Sequence, residues 1–362
     1  MSRLIRALID TRALQANLSR VREVAAGRRV IAVVKANGYG HGLVTAARAF
    51  AGADMLAVAR LEEAVVLREA GIGAPLLLLE GVFGPEELAQ AAALHLDLVV
   101  HEAAQLALLE AWRGPWRFAL WLKVDSGMNR LGFRAEDFPA ARARVAALAA
   151  PPAAVRVLTH LATADEPDDT ATRAQLARFE ACVGRLGLET SIGNSAGIFA
   201  SPRSQGDWVR PGLALYGASP FADRRGVDLG LQPAMTLVSS VIAVRSLPHG
   251  EAVGYGATWR AVRDSRVAVI AAGYGDGLIR DCGAGASVLV GGQRAPLVGR
   301  VSMDMLAADV TGLAGIEVGT PVQLWGPQLP VEEVAGRAGT IAYELLCSLT
   351  GRVPRVLNPP PA

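Results

Sequence analysis

Between Val30 and about Val209 the sequence alternates short apolar runs with longer segments rich in Ala, Leu, Arg and Glu. This alternation constrains the fold more than any other feature. The runs are VIAVVK (30–35), MLAVA (55–59), PLLLL (75–79), LDLVV (96–100), FALWLKVD (118–125) and VRVLTHLA (155–162). Two weaker ones follow, within TSIGNS (190–195) and DWVRPGLALYG (207–217). The segments between them, such as ARLEEAVVLREAG and GPEELAQAAALH, repeat apolar residues at three- and four-residue steps, and several open on acidic residues. Both are helix signals. About eight β-α units in roughly 200 residues imply an α/β fold, either a parallel (β/α)8 barrel of the TIM type or a doubly wound sheet.

The pattern changes near 220–232, where FADRRGVDLGLQP forms a polar bridge marked by Gly and Pro. Beyond it, AMTLVSSVIAVRSL, SRVAVIAAGY, ASVLVGGQRAPLVGRVSMDMLAADV and TPVQLWG are short runs with glycine turns. They read as mostly antiparallel β. A barrel-sized domain over residues 10–228 is therefore expected to precede a β domain over 229–362, and 362 residues are enough for both.

Composition removes several function classes. With 51% hydrophobic residues the chain is not largely disordered. No run of about 18 purely apolar residues implies a membrane span. The start MSRLIRALIDTRAL has no apolar core of signal-peptide length, so a cytoplasmic address is expected. The net charge is +2 with the cations spread along the chain, which argues against nucleic acid as a partner. Cys182, Cys282 and Cys347 have no CxxC spacing, and the histidines show no HxH or HxxxH, so no metal centre is expected.

Only two of the 36 cations are lysines, Lys35 and Lys123. Arginine replaces lysine as a charge but not as an amine that must deprotonate or form a covalent bond. Both are therefore candidates for amine chemistry. Lys35 ends the first apolar run, in AVVKANGYGHG, at the end of a barrel strand where active sites lie. The glycines at 38, 40 and 42 do not make the dinucleotide fingerprint; a plain turn is the bland alternative to a site loop. Four of the five tyrosines, Tyr39, Tyr216, Tyr255 and Tyr274, sit beside glycines, as site loops do; the fifth is Tyr343. Lys123 and Asp125 share a face of their strand, near Arg130, and a salt bridge between the two is one way to settle the charges.

The chain resembles the alanine racemases, enzymes of fold type III that use pyridoxal 5′-phosphate (PLP). The resemblance runs from Ile5 to about Arg355 and rests on AVVKANGYGHG, KVDSGMNRLGF, THLATAD, GNSAG, VRPGLALYG, VGYG, AGYGDG, GRVSMDM and AYELLC in the family's order. It implies a β/α barrel, a β domain that also takes residues 1–9, and a homodimer with shared active sites. It implies that Lys35 binds PLP covalently and acts as base on one face of the substrate α-carbon. Tyr255 from the second subunit would act on the other face. Tyr39, Ser195 and Tyr343, with backbone N–H groups around Gly212 and Leu213, would hold the phosphate. Arg210 would face the pyridine nitrogen, and His160 would support Arg210 and Tyr255. Arg130, Tyr274 and the Met303 backbone would place the alanine carboxylate. Lys123 matches a lysine that can be carbamylated to hold Arg130. The role expected is D-alanine supply for peptidoglycan or D-alanine catabolism.

Two departures stand out. Ser302 replaces the family's frequent cysteine before Met303 and Asp304, and Gly275 replaces the commoner alanine of GYADG. The second is expected to loosen the loop that holds Tyr274. Three other readings compete. A barrel-type PLP decarboxylase usually pairs the pyridine nitrogen with a carboxylate, and Arg210 speaks against it. A racemase for serine or a broader set of amino acids would differ in pocket width. A PLP-binding homeostasis protein normally lacks the second domain and Tyr255.

Overall fold

A computed structural model describes residues 4–282 and 285–358. The stretches of the expected β domain at 1–3, 283–284 and 359–362 lie outside the described residues. The chain divides into two compact units. One spans Gln15–Gly38 and Leu43–Leu215; the other takes Met1–Leu14, Tyr39–Gly42 and Tyr216–Ala362.

The first described strand, β1 (Arg6–Ile9), belongs to the second of these units. The other unit is a closed parallel barrel. Its strands are β2 (Arg29–Val33), β3 (Met55–Val58), β4 (Leu76–Leu78), β5 (Leu96–Val100), β6 (Ala119–Lys123), β7 (Ala154–Leu158), β8 (Thr190–Ser191) and β9 (Trp208–Val209). They pair in the order β8-β7-β6-β5-β4-β3-β2-β9. Closure comes where the Asp207 N–H donates to Thr190 O at 2.9 Å and Ser191 Oγ donates to Trp208 O at 2.8 Å. The strands read as continuous apolar runs because each is covered on both faces; Val30, Ile31, Ala32 and Trp121 are fully buried. The two runs that were weakest in the sequence are the two-residue strands β8 and β9.

At the barrel's N-terminal face Arg156 of β7 lies over the rings of Trp121 and Trp208, at 5.1 and 5.3 Å from their centroids. Its Nε donates to Glu189 Oε2 at 2.8 Å, and Asp97 lies 3.7 Å from its Nη1. Arg29 pairs with the other oxygen of Glu189. Burial works against the Glu189 carboxylate, but hydrogen bonds from Arg156, Arg29 and the Trp208 indole bring its pKa down to about 2.

In the other unit the long strand β10 (Met235–Leu247) is central. Its first half alternates buried and half-buried residues and pairs antiparallel with β1, while β1 pairs parallel with β18 (Arg355–Leu357). The remaining strands are β11 (Ala252–Val253), β12 (Trp259–Arg260), β13 (Ser265–Ile270), β14 (Ser287–Val290), β15 (Gln293–Pro296), β16 (Leu306–Asp309) and β17 (Pro321–Trp325). All their mutual pairings are antiparallel. The β14–β15 hairpin turns on Gly291 and Gly292, both with positive φ (57° and 78°), the conformation a tight two-residue turn demands. Of the two α/β folds the patterning left open, the structure has the TIM-type barrel that the resemblance implied, with a mostly antiparallel β domain. Among the described residues no helix is long and apolar enough to cross a membrane.

Candidate active site

Lys35 stands two residues beyond β2, not inside it. The turn it opens is left-handed: Ala36, Asn37 and Gly38 have φ of 54°, 55° and 60°. Such a run costs roughly 1 kcal/mol or more per non-glycine residue and persists only where surroundings over-determine it. Here they do. Gly38 N–H donates to Val34 O at 2.8 Å, Leu43 N–H to Asn37 Oδ1 at 2.9 Å, and Ala36 N–H to Glu63 Oε1 at 2.7 Å. The second Glu63 oxygen accepts from Ala59 N–H at 3.0 Å, tying the ends of β2 and β3 together. Glu63 is a positioning residue the sequence reading missed; its only local signal was an acidic side chain in a helix's first turn.

Arg210 follows β9 and is buried. Its Nη1 donates to Ser191 Oγ at 2.6 Å, and its Nη2 to Thr159 O at 2.5 Å and Ile192 O at 3.2 Å. Nη2 also reaches His160 Nδ1 at 3.5 Å. Every acceptor is neutral. Burial lowers the Arg210 pKa to about 10, so the guanidinium stays charged at neutral pH. Burial and the cations Arg210, Lys123, Arg130 and Lys35 push His160 down to about 2, so its ring is neutral and Nδ1 accepts.

Lys123 ends β6 and is 8% exposed. Burial first, then Arg210 and Arg130, lower its pKa to about 8, while Asp125 works the other way. The Lys123–Asp125 salt bridge, one of the arrangements the sequence left open, does not form. Asp125 Oδ1 instead accepts the N–H groups of Gly127 and Asn129, each at 3.0 Å, and so shapes the loop that carries Arg130. A local Asx turn satisfies that carboxylate without the lysine. Arg130 itself is exposed.

Ser195 opens the short helix Ser195–Ala200 and is 1% exposed. Its Oγ accepts from Gly212 N–H at 3.0 Å and Ala214 N–H at 3.2 Å. The Gly212 N–H is thus directed at Ser195 Oγ. Leu213 begins the 3-10 turn Leu213–Tyr216, so its N–H falls among the first-turn donors that have no partner within the turn.

The barrel unit therefore brings together Lys35, Lys123, Arg130, His160 and Arg210, within electrostatic reach of one another, and in it also lie Ser195, Gly212 and Leu213. The other unit holds Tyr39, Tyr255, Tyr274, Met303 and Tyr343. There the buried Tyr39 ring stacks on Tyr216, with centroids 4.7 Å apart, and lies 6.1 Å from Tyr343. Burial, then Tyr343 and Cys347, raise the Tyr39 pKa, which keeps a neutral O–H donor. Tyr255 is 67% exposed and Met303 53%.

The model of the alanine racemase N-terminal domain matches residues 9–220, and that of the alanine racemase C-terminal domain matches 234–357. The chain belongs to the alanine racemase family. It is thus an enzyme of the racemase class. A relative from Shewanella amazonensis named alanine racemase is 50% identical over 354 residues, 96% of this chain and 97% of its own length. One from Nitrosococcus oceani, also named alanine racemase, is 50% identical over 352 residues, covering 97% of this chain and 99% of its own. Among solved structures, the biosynthetic alanine racemase of Pseudomonas aeruginosa is similar with a TM-score of 0.94 and 44% identity, over 98% of this chain and 99% of that one. The alanine racemase of Acinetobacter baumannii follows with a TM-score of 0.90 and 38% identity, over 98% and 100%.

Proposed function

We propose that this chain interconverts L- and D-alanine with PLP by a two-base mechanism, as a cytoplasmic homodimer with shared sites that serves peptidoglycan precursor supply or D-alanine catabolism. The barrel then spans residues 10–228, and the β domain takes 1–9 and 229–362. The observation that carries the reading is the net-cationic cluster at the C-terminal ends of the barrel strands, where Arg210 is charged, buried and hydrogen-bonded only to neutral groups. Such a cluster suits an anionic ligand.

The donor chemistry fits PLP. Both acceptor positions of Ser195 Oγ are taken by N–H groups, which directs its own proton to another acceptor, as a phosphate oxygen would be. With Leu213 N–H at the start of its turn and the neutral Tyr39 hydroxyl, this is a phosphate set of hydroxyls and amides rather than lysines. Tyr343 completes it, and Arg210 would stand at the pyridine nitrogen. When bound, PLP supplies electron withdrawal that acidifies the substrate α-carbon.

The remaining steps belong to the chain's own groups. Lys35 Nζ takes or returns the α-proton on one face, held in register by the left-handed turn and Glu63. The Tyr255 hydroxyl of a second copy serves the opposite face. The Arg210 guanidinium keeps its proton, so it would leave the pyridine nitrogen it faces unprotonated, and the cofactor held there would be a weaker electron sink, which would favour return of the proton over transamination. Arg130, Tyr274 and the Met303 backbone hold the carboxylate. An amine at Lys123 with its pKa near 8 is partly unprotonated at neutral pH and open to carbamylation, which turns a cation beside Arg130 into an anion.

Tyr255→Phe tests the two-base assignment. We expect bound PLP to be retained and racemisation to fall by about 10³ or more, unequally in the two directions. Full activity of Tyr255→Phe in both directions contradicts it.

A further inference from the structure

We propose that Arg352 is a positioning residue that locks the Tyr274 and Met303 loops into one frame, and that Gly275 is the residue that admits its guanidinium. The inference rests on the reading in which Tyr274 and the Met303 backbone place the substrate carboxylate.

The two loops are already laced along the backbone. Tyr274 N–H donates to Ser302 O at 3.0 Å, and Gly275 N–H to Met303 O at 2.8 Å. Approach is so close that a Cβ on Gly273 would lie 2.2 Å from Met303 O. Asp276, only 4% exposed, turns Oδ2 inward to accept Gly273 N–H at 3.0 Å. Its Oδ1 faces Arg352 Nε at 3.4 Å. The Nη2 of the same guanidinium donates to Asp304 Oδ1, next to Met303. One side chain therefore spans both loops through a carboxylate of each. The backbone leading to it is tied to the same turn: Thr350 Oγ1 donates to Gly275 O at 3.0 Å and accepts Arg352 N–H at 3.3 Å.

Gly275 has an ordinary φ, so it is not needed for backbone conformation. A Cβ there would lie 2.3 Å from Arg352 Nη1 and 3.0 Å from Met303 O. The guanidinium is the movable end of a flexible side chain, and the laced backbone is not. Alanine at 275 thus evicts the guanidinium, whereas Met303 O, and Met303 Cγ at 3.2 Å, need give by only a few tenths of an ångström. The glycine does not loosen the loop, as the sequence suggested; it makes room for the residue that tightens it.

The test compares Arg352→Ala, Gly275→Ala, the double variant and Arg352→Lys in the holoenzyme. Each Ala variant should raise KM for alanine by about tenfold while kcat falls less than about threefold. The inhibition constant of propionate, alanine's carboxylate without its amine, should rise in parallel. The double variant should be no worse than Arg352→Ala alone, and Arg352→Lys should recover part of the loss. Hydrogen exchange of the amides in 274–277 and 302–305 should speed up together. Unchanged KM and propionate constants in Arg352→Ala overturn the positioning role, even if thermal stability falls. Additive effects of the two Ala changes overturn the role of Gly275. If the wild type does not racemise alanine, the functional reading fails, and unchanged amide exchange in Arg352→Ala then overturns the clamp by itself.

Discussion

The two ends of the barrel each hold an arginine, Arg156 half-buried and Arg210 buried, and they treat it in opposite ways. At the N-terminal face Arg156 lies over two tryptophan rings and meets Glu189 and Asp97, so its charge is compensated within the fold. At the C-terminal face Arg210 has only hydroxyl, carbonyl and imidazole acceptors, with Lys123, Lys35 and Arg130 adding like charge around His160. The first arrangement is what stability selects. The second is poor for stability and suits the binding of an anion. Barrels separate these tasks by face, with stability at the bottom and chemistry at the top.

This contrast breaks most sharply under paired substitution. Arg156→Met leaves Asp97 without its counter-ion and Glu189 with Arg29 alone, and should cost about 2 kcal/mol in denaturant unfolding. It should change kcat/KM less than about threefold. Arg210→Met removes hydrogen bonds to neutral acceptors together with the repulsion, so we expect unfolding free energy within about 1 kcal/mol of the parent. Activity should fall by more than about 10². Equal destabilisation by the two changes would remove the distinction.

Acid unfolding sharpens the comparison at a smaller scale. His160 has a folded pKa of about 2, below its ordinary value of about 6.5. The unfolded chain then binds a proton that the folded chain does not, and stability is lost as pH falls below about 6.5. Glu189 is also held at about 2, below an ordinary value of about 4.3, so its contribution is lost only as pH falls below about 4.5. His160→Gln should therefore flatten the unfolding profile between about pH 6.5 and 4.5, by up to about 1.4 kcal/mol per pH unit, and leave the steeper fall below it. An unchanged slope in that window would place the loss elsewhere.

Much of this was legible because it is written locally. The eight apolar runs and their helical partners encode β-α units of a parallel sheet whatever their neighbours do, and Gly291–Gly292 announces its hairpin. Lys35 and Lys123 stood out because arginine elsewhere had replaced their kind. What was not legible depends on meetings across long sequence distance. Glu63 reaches Ala36 over 27 residues, and Arg210 finds Ser191 and Thr159 only once the barrel closes. The left-handed turn after Val33 was hidden too, since Ala36 has no intrinsic preference for it. Gly275 was visible as a departure, but its meaning lies in Arg352, which sequence spacing does not bring near.

The central claim is that the cationic cluster at the barrel mouth, with Lys35 as its covalent anchor, is a PLP site for alanine racemisation. The most direct test is the visible absorbance spectrum of purified wild type and Lys35→Ala, followed by inversion of L-alanine beside L-serine, L-lysine and L-arginine. The account predicts a cofactor band and rapid inversion of L-alanine, with weak activity on the others, and loss of both band and activity in Lys35→Ala. A wild type with no band, or a band accompanied by carbon dioxide release or by inversion of only the larger amino acids, would contradict it.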